Sequence, residues 1–371
     1  MRALFLTANL GGNVPPTMAI AQELCRRGIE VEIAGLAAAE PAGGRGSDAY
    51  PVAVDARWAA GRDASGRWEP PGTRQAGIFL SRRFAADAER LVHDRRADIV
   101  VVDCMALALI AGSQRTGIPV VVLLHTFGEF WRRAALHGLV SGLLRGLGHS
   151  PRLLWGAAAL RLLLTDRELD PASGAPELAG YAWTGTTEVG VAAPASASRL
   201  PRVIVSFSST PLAGMRAVYW RAIDALAGLP VEVIVTTGSC DIQGSRPRTV
   251  PANVTIEGFV PHSEIFPGAA LVIGHGGHST TMKALAHGIP LIVLPLNPNA
   301  DQSLNGDLIA AEGLGAKLSP RSDPAMLRRT VEDMLADAAL RERAAATGAR
   351  LRSAPPGAAV AADRILALAR A

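Results

Sequence analysis

Along the first half of the chain, short unbroken apolar runs alternate with longer stretches in which apolar residues recur every three or four positions. The runs "RALFLTA", "VEIAGL", "ADIVVVD" and "IPVVVLLH" are of the first kind, and "PPTMAIAQELCRRG" and "CMALALIAGSQRTG" are of the second. Short apolar runs without alternation read as strands buried on both faces, and the wider spacing reads as helix. The first helical stretch opens on prolines and closes on a glycine, which suits the two ends of a helix. Strand–helix–strand alternation of this kind predicts a parallel sheet covered by helices. The rhythm breaks from about Glu40 to Thr73, a stretch rich in Pro, Gly, Arg and Trp that reads as a long loop region. From Phe127 to Leu164 the pattern predicts helices with large apolar faces.

Between residues 186 and 200 the composition turns to Ala, Ser, Pro and Gly, as in an interdomain linker. The rhythm then restarts. "RVIVSFSS", "VEVIVTTG", "NVTIEGFV", "ALVIGH" and "IPLIVLP" read as strands, and "MRAVYWRAIDALAGL", "STTMKALAHG" and "DQSLNGDLIAAEG" as helices. The expected organisation is an α/β domain over 1–185, a linker over 186–200, a second α/β domain over 201–355 and a terminal helix over 356–371. Ligands of such folds bind at the carboxyl ends of the strands.

The composition permits this plan and excludes others. The chain has 371 residues, 49% hydrophobic and 19% charged, which is enough for two ordinary cores. A net charge of +4 could suggest nucleic acid, but the arginines are scattered and Lys283 and Lys317 are the only lysines. Without a basic run interleaved with aromatics, nucleic acid is not an expected partner. Cys25, Cys104 and Cys240 are odd in number and far apart, which fits neither a zinc site nor a disulfide scaffold. They read as free thiols of a reducing cytosol, so the expected location is cytoplasmic. The apolar start is short and runs into a turn, so a first strand is expected there rather than a secretion signal. The richest apolar stretch, "LLWGAAALRLLL", is interrupted by Arg161, and no membrane span is expected.

The chemistry concentrates in "GHGGHSTT", Gly274 to Thr281, between a strand run and a helix run. Glycines there let the backbone approach a ligand and adopt positive φ. The free N–H groups and dipole of the following helix suit a phosphate, with Ser279, Thr280 and Thr281 adding hydroxyls and His275 a further donor. On these residues alone a plainer reading stands beside it: Ser279 caps the helix and the histidines lie on the surface.

The wider segment resembles the donor-binding segment of the family 1 glycosyltransferases, especially the bacterial enzymes that decorate macrolides and aromatic polyketides. The resemblance is carried by Val260-Pro261-His262, His275-Gly276-Gly277, Thr280, Ala284-Leu285, Gly288-Ile289-Pro290, Pro295, Asp301-Gln302 and Asn305, and more weakly by "GGNVPPTMAIAQELCRRGIEVEIAG". It implies the GT-B fold: two Rossmann-like parallel-sheet domains facing across a cleft, with the C-terminal helix returning to the N-terminal domain. It implies an acceptor-binding first domain and a nucleotide-sugar-binding second domain. His275, Gly276 and Gly277, with Ser279 and Thr280, would hold the donor's pyrophosphate and stabilise the charge growing on the leaving diphosphate. Asp301 and Gln302 would bond the sugar hydroxyls, unless Asp301 only caps its helix. Phe259 and Val260 would lie against the nucleobase, unless Phe259 is ordinary core. Ser208, Thr237 and Gly238, at two strand ends, would also face the donor.

The first domain departs from the family pattern. The family's base is a histidine in the first strand–helix loop, and here, aligned on Val14 and Pro16, that position is Asn13 in "GGNVPP". The histidine's usual aspartate partner is present as Asp103, at the end of "ADIVVVD". Asn13 cannot usefully accept a proton. Either it orients an acceptor that ionises readily, or Asp103, with His125 nearby, takes the proton with a pKa raised by burial; the plain alternative is that Asn13 caps the helix. The acceptor surface is expected from Trp58 and Phe79 in the long loop region, and from His125, Phe127, Glu129 and Phe130 after a strand end, the aromatics either lining the site or forming satellite core.

The resemblance therefore implies an inverting hexosyltransferase that moves a deoxysugar or hexose from a dTDP- or UDP-sugar to a small polyketide or aromatic acceptor. No cofactor or metal is expected, since the turn supplies the charge and no Asp-x-Asp pair is present. The expected partners are the nucleotide sugar and the acceptor, with a homodimer left open. The rivals are a sugar-nucleotide epimerase of the same fold and a donor-binding helper that has lost its base. A dinucleotide oxidoreductase is disfavoured, because neither half carries a Gly-x-Gly-x-x-Gly turn.

Overall fold

The computed structural model describes residues 1–8, 12–35, 53–55, 80–137, 139–146, 148–192, 200–208, 212, 214–244 and 248–368, with the backbone alone for 53–55 and 139–140. The chain forms two compact units. Met1–Thr187 and Pro355–Ala371 make the first, and Glu188–Ala354 the second.

The first unit is built on seven parallel strands: β1 Arg2–Leu6, β2 Glu30–Ala34, β3 Ala53–Asp55, β4 Ile99–Asp103, β5 Val120–Leu124, β6 Leu160–Leu163 and β7 Ala182–Trp183. Their order in the sheet is β3-β2-β1-β4-β5-β6-β7. Both faces are covered, which is why the strands read as unbroken apolar runs. Ala3, Phe5, Ile99 and Val101 face the helix Val14–Arg26 and the terminal helix Gly357–Leu368, where Ile20, Leu24, Ala361 and Ile365 complete one core. Leu4, Leu6, Val100 and Val102 point the other way, toward Leu91, Ile110 and Trp155. The terminal helix is also tied by Arg27, which pairs with Asp363 and donates to the Ala359 carbonyl at 3.2 Å. Where the chain leaves and re-enters this unit, Gly357 N donates to Thr186 O at 3.0 Å, and a Cβ at 357 would lie 2.5 Å from that carbonyl.

Among the described residues, the second unit holds six parallel strands: β8 Arg202–Ser206, β9 Glu232–Thr236, β10 Val254–Glu257, β11 Ala269–Gly274, β12 Leu291–Val293 and β13 Gly315–Lys317. Their order is β10-β9-β8-β11-β12-β13. Val203, Val205, Val233, Val235 and Ile273 pack with Val218, Ala222 and Leu226 of the helix Met215–Leu226 and with Leu327 and Val331.

Two expectations change. The stretch Phe127–Leu164 is not all helix: it ends in β6, which pairs with β5 from Val121↔Leu160 to Leu124↔Leu163. The apolar run "LLWGAAALRLLL" is therefore the end of the helix Pro151–Gly156 followed by a strand. The loop region expected over 40–73 contains β3, which is paired with β2. Among the described residues no helix is long and apolar enough to cross a membrane.

The helices Arg82–Asp94 and Leu107–Gln114 touch at Gly112, where an added Cβ would lie 2.0 Å from the Ala85 carbonyl oxygen. On an open helix face Gly→Ala stabilises by about 1 kcal/mol. Here the backbone contact reverses the sign, and Gly112→Ala should cost about 1–3 kcal/mol. A urea unfolding midpoint that rises, or stays where it was, contradicts this contact.

Candidate active site

Both sheets carry the Rossmann strand order, so each has a point where the order reverses: between β1 and β4 in the first unit and between β8 and β11 in the second. In such sheets the strand ends beside that point are where ligands bind. Asn13 follows β1 and Asp103 ends β4, while His275 follows β11 and Ser206 ends β8.

In the first unit the centre is the Asp103 carboxylate, which is 2% exposed. Oδ2 accepts from Asn13 Nδ2 at 2.6 Å and lies 2.7 Å from His125 Nε2, and Oδ1 accepts from Met105 N at 2.8 Å. Burial alone would raise its pKa. The His125 imidazole and the hydrogen bonds from His125, Met105 and Asn13 outweigh that, and the carboxyl lies below its usual range. The expectation of a carboxylate made basic by burial is therefore overturned: its lone pairs are held by donors.

Asn13 does not cap its helix. Its backbone is helical (φ −83°, ψ −22°), and its side chain makes no capping bond. The amide nitrogen turns inward, donating to Asp103, to Ala8 O at 2.8 Å and to Thr7 Oγ1 at 3.2 Å. Two N–H groups serve three acceptors, so one bond is shared.

His125 continues from β5, which lies beside β4 in register Asp103↔Leu123. Its Nδ1 is buried without a hydrogen-bond partner, and so is Thr126 Oγ1. Thr126 has φ +64°, a left-handed conformation that costs a β-branched residue energy. The turn is pinned beyond: Trp131 Nε1 donates to the His125 carbonyl. Asp170, which is 2% exposed, accepts from Gly128 N at 2.7 Å, Glu129 N at 3.2 Å, Ala172 N at 3.1 Å and Trp183 Nε1 at 2.8 Å. Sequence reading missed Asp170. It follows a turn rather than a strand and sits in no motif, and its one signal is an acidic residue among "RELDPASG". Gly128 is required beside it, because a Cβ there would meet Leu178 at 2.6 Å and Asp170 at 2.8 Å.

The expected acceptor residues fare differently. Trp58 and Phe79 lie outside the described residues. Phe127 is completely buried, which corrects its assignment to an acceptor surface: it is core. Glu129 is 4% exposed and bound to Arg132 Nε at 2.7 Å and Arg133 Nε at 2.5 Å. The Arg132 hydrogen bond holds its carboxyl below the usual range, so it is a local ion-pair anchor rather than an acceptor contact. Phe130 is half-buried, edge-on to Trp131 with ring centroids 5.0 Å apart. Of the described residues in the expected set, His125 is the one that joins Asp103.

In the second unit the turn Gly274–Gly277 leads from β11 into the helix His278–Ala286. Gly276 has φ +84°, and a Cβ there would lie 2.6 Å from Val293 and 2.8 Å from Gln302 O. A Cβ on Gly277 would lie 2.6 Å from His275 Nε2. Gly276 is thus fixed by backbone approach and positive φ, whereas a side chain at Gly277 would have to displace the His275 ring. Asn305, fully buried, fastens the turn by donating to Gly276 O at 2.7 Å and to Asp301 Oδ2 at 3.0 Å. His275 is 9% exposed, and its Nδ1 is buried without a partner. Burial pushes its pKa down to about 4, so near neutral pH it is an uncharged donor–acceptor.

The other expected donor residues surround this turn unevenly. Ser279 Oγ donates to Glu188, whose carboxylate also lies 3.2 Å from Lys283 Nζ, so that hydroxyl already has an anion. Thr280 is half-buried at the start of the helix. Asp301 is not a side-chain cap. Gln302 Oε1 accepts from Leu296 N at 2.7 Å and Asn297 N at 2.9 Å, which leaves its amide nitrogen as the available group. Phe259 is 72% exposed, so it is not core, and Val260 beside it is half-buried. Thr237 Oγ1 is 3.1 Å from Glu257 O and Gly238 N 3.2 Å from Gly258 O, both tied to the neighbouring strand end. Ser208 is half-buried. Beside them, His262 Nε2 meets Ser206 Oγ at 2.9 Å and its ring stacks on Phe266 at 4.3 Å. Burial, with Lys283 nearby, lowers its pKa to about 3.

Ligand-capable atoms of Asp103, Cys104 and His125 lie within 4.8 Å of one another. The carboxylate is already saturated with N–H donors, and burial raises the Cys104 thiol well above its usual range. A metal needs a thiolate, so this donor set reads as a hydrogen-bonded cluster and not as a metal site.

Residues 220–368 match the model of the erythromycin biosynthesis protein CIII-like C-terminal domain, and residues 17–166 match that of glycosyltransferase family 4. SnogD, a glycosyltransferase from Streptomyces nogalater, superposes with a TM-score of 0.71 over 100% of this chain and 99% of that one, at 23% identity. The fold is that of the GT-B glycosyltransferases, and each of the two family models matches less than half of the chain. The chain also superposes on VinC, solved in complex with dTDP, with a TM-score of 0.71 and 19% identity over the full length of both. The aclacinomycin-T 2-deoxy-L-fucose transferase of Streptomyces galilaeus is 39% identical over 84 residues, 23% of this chain and 18% of that protein. The aligned segment is thus under a fifth of that relative's length.

The two imidazoles, buried His275 and half-buried His262, make a prediction for the protein's stability. Their folded pKa values lie below the ordinary 6.5, so the unfolded chain binds protons that the folded chain refuses. Stability should be greatest above pH 6.5 and fall on acidification, by roughly 2 kcal/mol per imidazole between pH 6.5 and 5. Replacing His275 or His262 by Asn should each flatten that slope, whatever it does to the midpoint at pH 7.5. An unchanged slope of melting temperature against pH in both variants contradicts the buried neutral assignment.

Proposed function

We propose that the protein transfers a sugar, with inversion at the anomeric carbon, from a nucleoside-diphosphate sugar of the dTDP or UDP kind to a small natural-product acceptor. The observation that carries this reading is the turn at His275: a buried, uncharged histidine with an unpartnered ring nitrogen, followed by two glycines, the first sterically required, at a helix start. A leaving diphosphate gathers negative charge as the glycosidic bond breaks. Fixed N–H donors aimed at that charge lower the barrier without reorganising. His275 would donate to the diphosphate, the backbone of Gly276 and Gly277 would approach it closely, and Thr280 would add a hydroxyl. Ser279 would have to exchange Glu188 for phosphate. Asp301 and the Gln302 amide nitrogen would bond sugar hydroxyls, and exposed Phe259 would meet the nucleobase. The names of relatives support the substrate class: one moves 2-deoxy-L-fucose, and VinC was solved with dTDP.

Two outcomes are expected. dTDP or UDP at a hundredfold excess over its Kd should stabilise the protein by about 2.7 kcal/mol, read as a rise in melting temperature. His275→Ala should shrink that rise and lower kcat on the order of a hundredfold. Unchanged turnover in this variant removes His275 from the mechanism.

We also propose that transfer needs no metal, because the helix start and His275 supply the stabilising charge. Turnover should survive chelator. Loss in EDTA with recovery on adding magnesium contradicts this.

A further inference from the structure

The family's proton acceptor is replaced by asparagine, yet its aspartate partner is kept, buried and furnished with three donors. A structural carboxylate of this kind explains the folding of the turn but not what lies on its other side. There the structure shows His125 with Nε2 on Asp103 Oδ2 at 2.7 Å and Nδ1 enclosed without a partner. The next residue holds a strained positive φ and a second orphaned polar atom. Buried groups that go unsatisfied beside backbone strain ask for an explanation in function. A carboxylate that accepts from one ring nitrogen fixes the tautomer, leaving the lone pair on the other nitrogen.

We infer that His125 is the catalytic base: it takes over from the loop position now held by Asn13, and its Nδ1 removes the acceptor's proton. The inference rests on the transfer reading above. In the step the acceptor O–H proton passes to Nδ1, and the oxygen lone pair forms the bond to the anomeric carbon. The bond from that carbon to the diphosphate oxygen breaks, and the nucleoside diphosphate leaves with the electron pair. The imidazolium left behind is stabilised by the Asp103 carboxylate and returns its proton to solvent. Among the described residues, that carboxyl and the Cys104 thiol, which burial keeps protonated, lie beside the ring. Glu129, close in sequence, is held by Arg132 and Arg133. Asn13 cannot share the task, because its amide nitrogen only donates, to Asp103, Ala8 and Thr7.

The test compares two probes of similar shape, para-nitrophenol and para-nitrobenzyl alcohol, with dTDP-glucose and UDP-glucose as donors. The phenol ionises near neutral pH and the alcohol does not. In His125→Ala, transfer to the alcohol should fall by about a hundredfold to ten-thousandfold, and transfer to the phenol by less than about tenfold. The acidic limb of kcat/KM against pH for the alcohol should vanish, and added imidazole should restore part of the rate. The melting rise caused by dTDP or UDP should stay as in the unaltered chain. Equal losses with both probes, or a retained acidic limb, make His125 structural and overturn the inference. Retained transfer to the alcohol overturns it too, while leaving the transfer reading intact. Failure of the unaltered chain to transfer to either probe, despite nucleotide binding, counts against that reading and the inference together.

Discussion

A carboxylate out of reach of water must be given hydrogen bonds, or it will not stay charged. Asp103 meets that demand at the end of β4, and its needs organise the first unit around it. Met105 N comes from the turn that starts the next helix, Asn13 from the helix after β1, and His125 from the end of β5. Three neighbouring strands are thereby tied at their carboxyl ends to one pair of oxygens. Directly after His125, Thr126 holds a left-handed φ and Gly128 N donates to Asp170.

The second unit solves the same topological problem with neutral groups. Its order-reversal point is lined by two imidazoles whose burial keeps them uncharged, His262 and His275, and by Gly276, whose positive φ and backbone contact exclude a side chain. A charged, hydrogen-bonded cluster at one order-reversal point and an uncharged, donor-rich one at the other are different answers on one scaffold. Fold does not choose between them; the residues at the strand ends do. The Glu188 carboxylate against Ser279 and Lys283 shows that the helix start attracts an anion even within the chain itself.

What the sequence made legible follows the same physics. The longer strands were readable because burial on both faces forces continuous apolar runs, as in β4, "IVVVD". β3, β7 and β13 were not, because two or three residues such as "GAK" carry no pattern and take their place from a neighbour's register. β6 was hidden by lying directly after a helix of similar composition. The glycine turn was readable because close approach leaves no residue choice. The pairing of Asn13 with Asp103 could be aligned but its direction could not: whether an asparagine caps, orients or donates depends on distances that sequence does not carry. The same holds for Phe127 and Glu129, whose residue types suited a ligand surface while packing and two arginines claimed them.

Which nitrogen of His125 carries the proton decides whether the ring can act as a base. Long-range nitrogen–hydrogen correlation spectra of the histidine-labelled protein near neutral pH read this directly, with His125→Gln assigning the signal. Held by Asp103, the ring should show a protonated, pyrrole-type Nε2 and an unprotonated, pyridine-type Nδ1, and Asp103→Asn should mix the two tautomers. A protonated Nδ1, or a ring whose tautomer ignores the Asp103 substitution, would contradict the arrangement on which the proposed proton transfer depends.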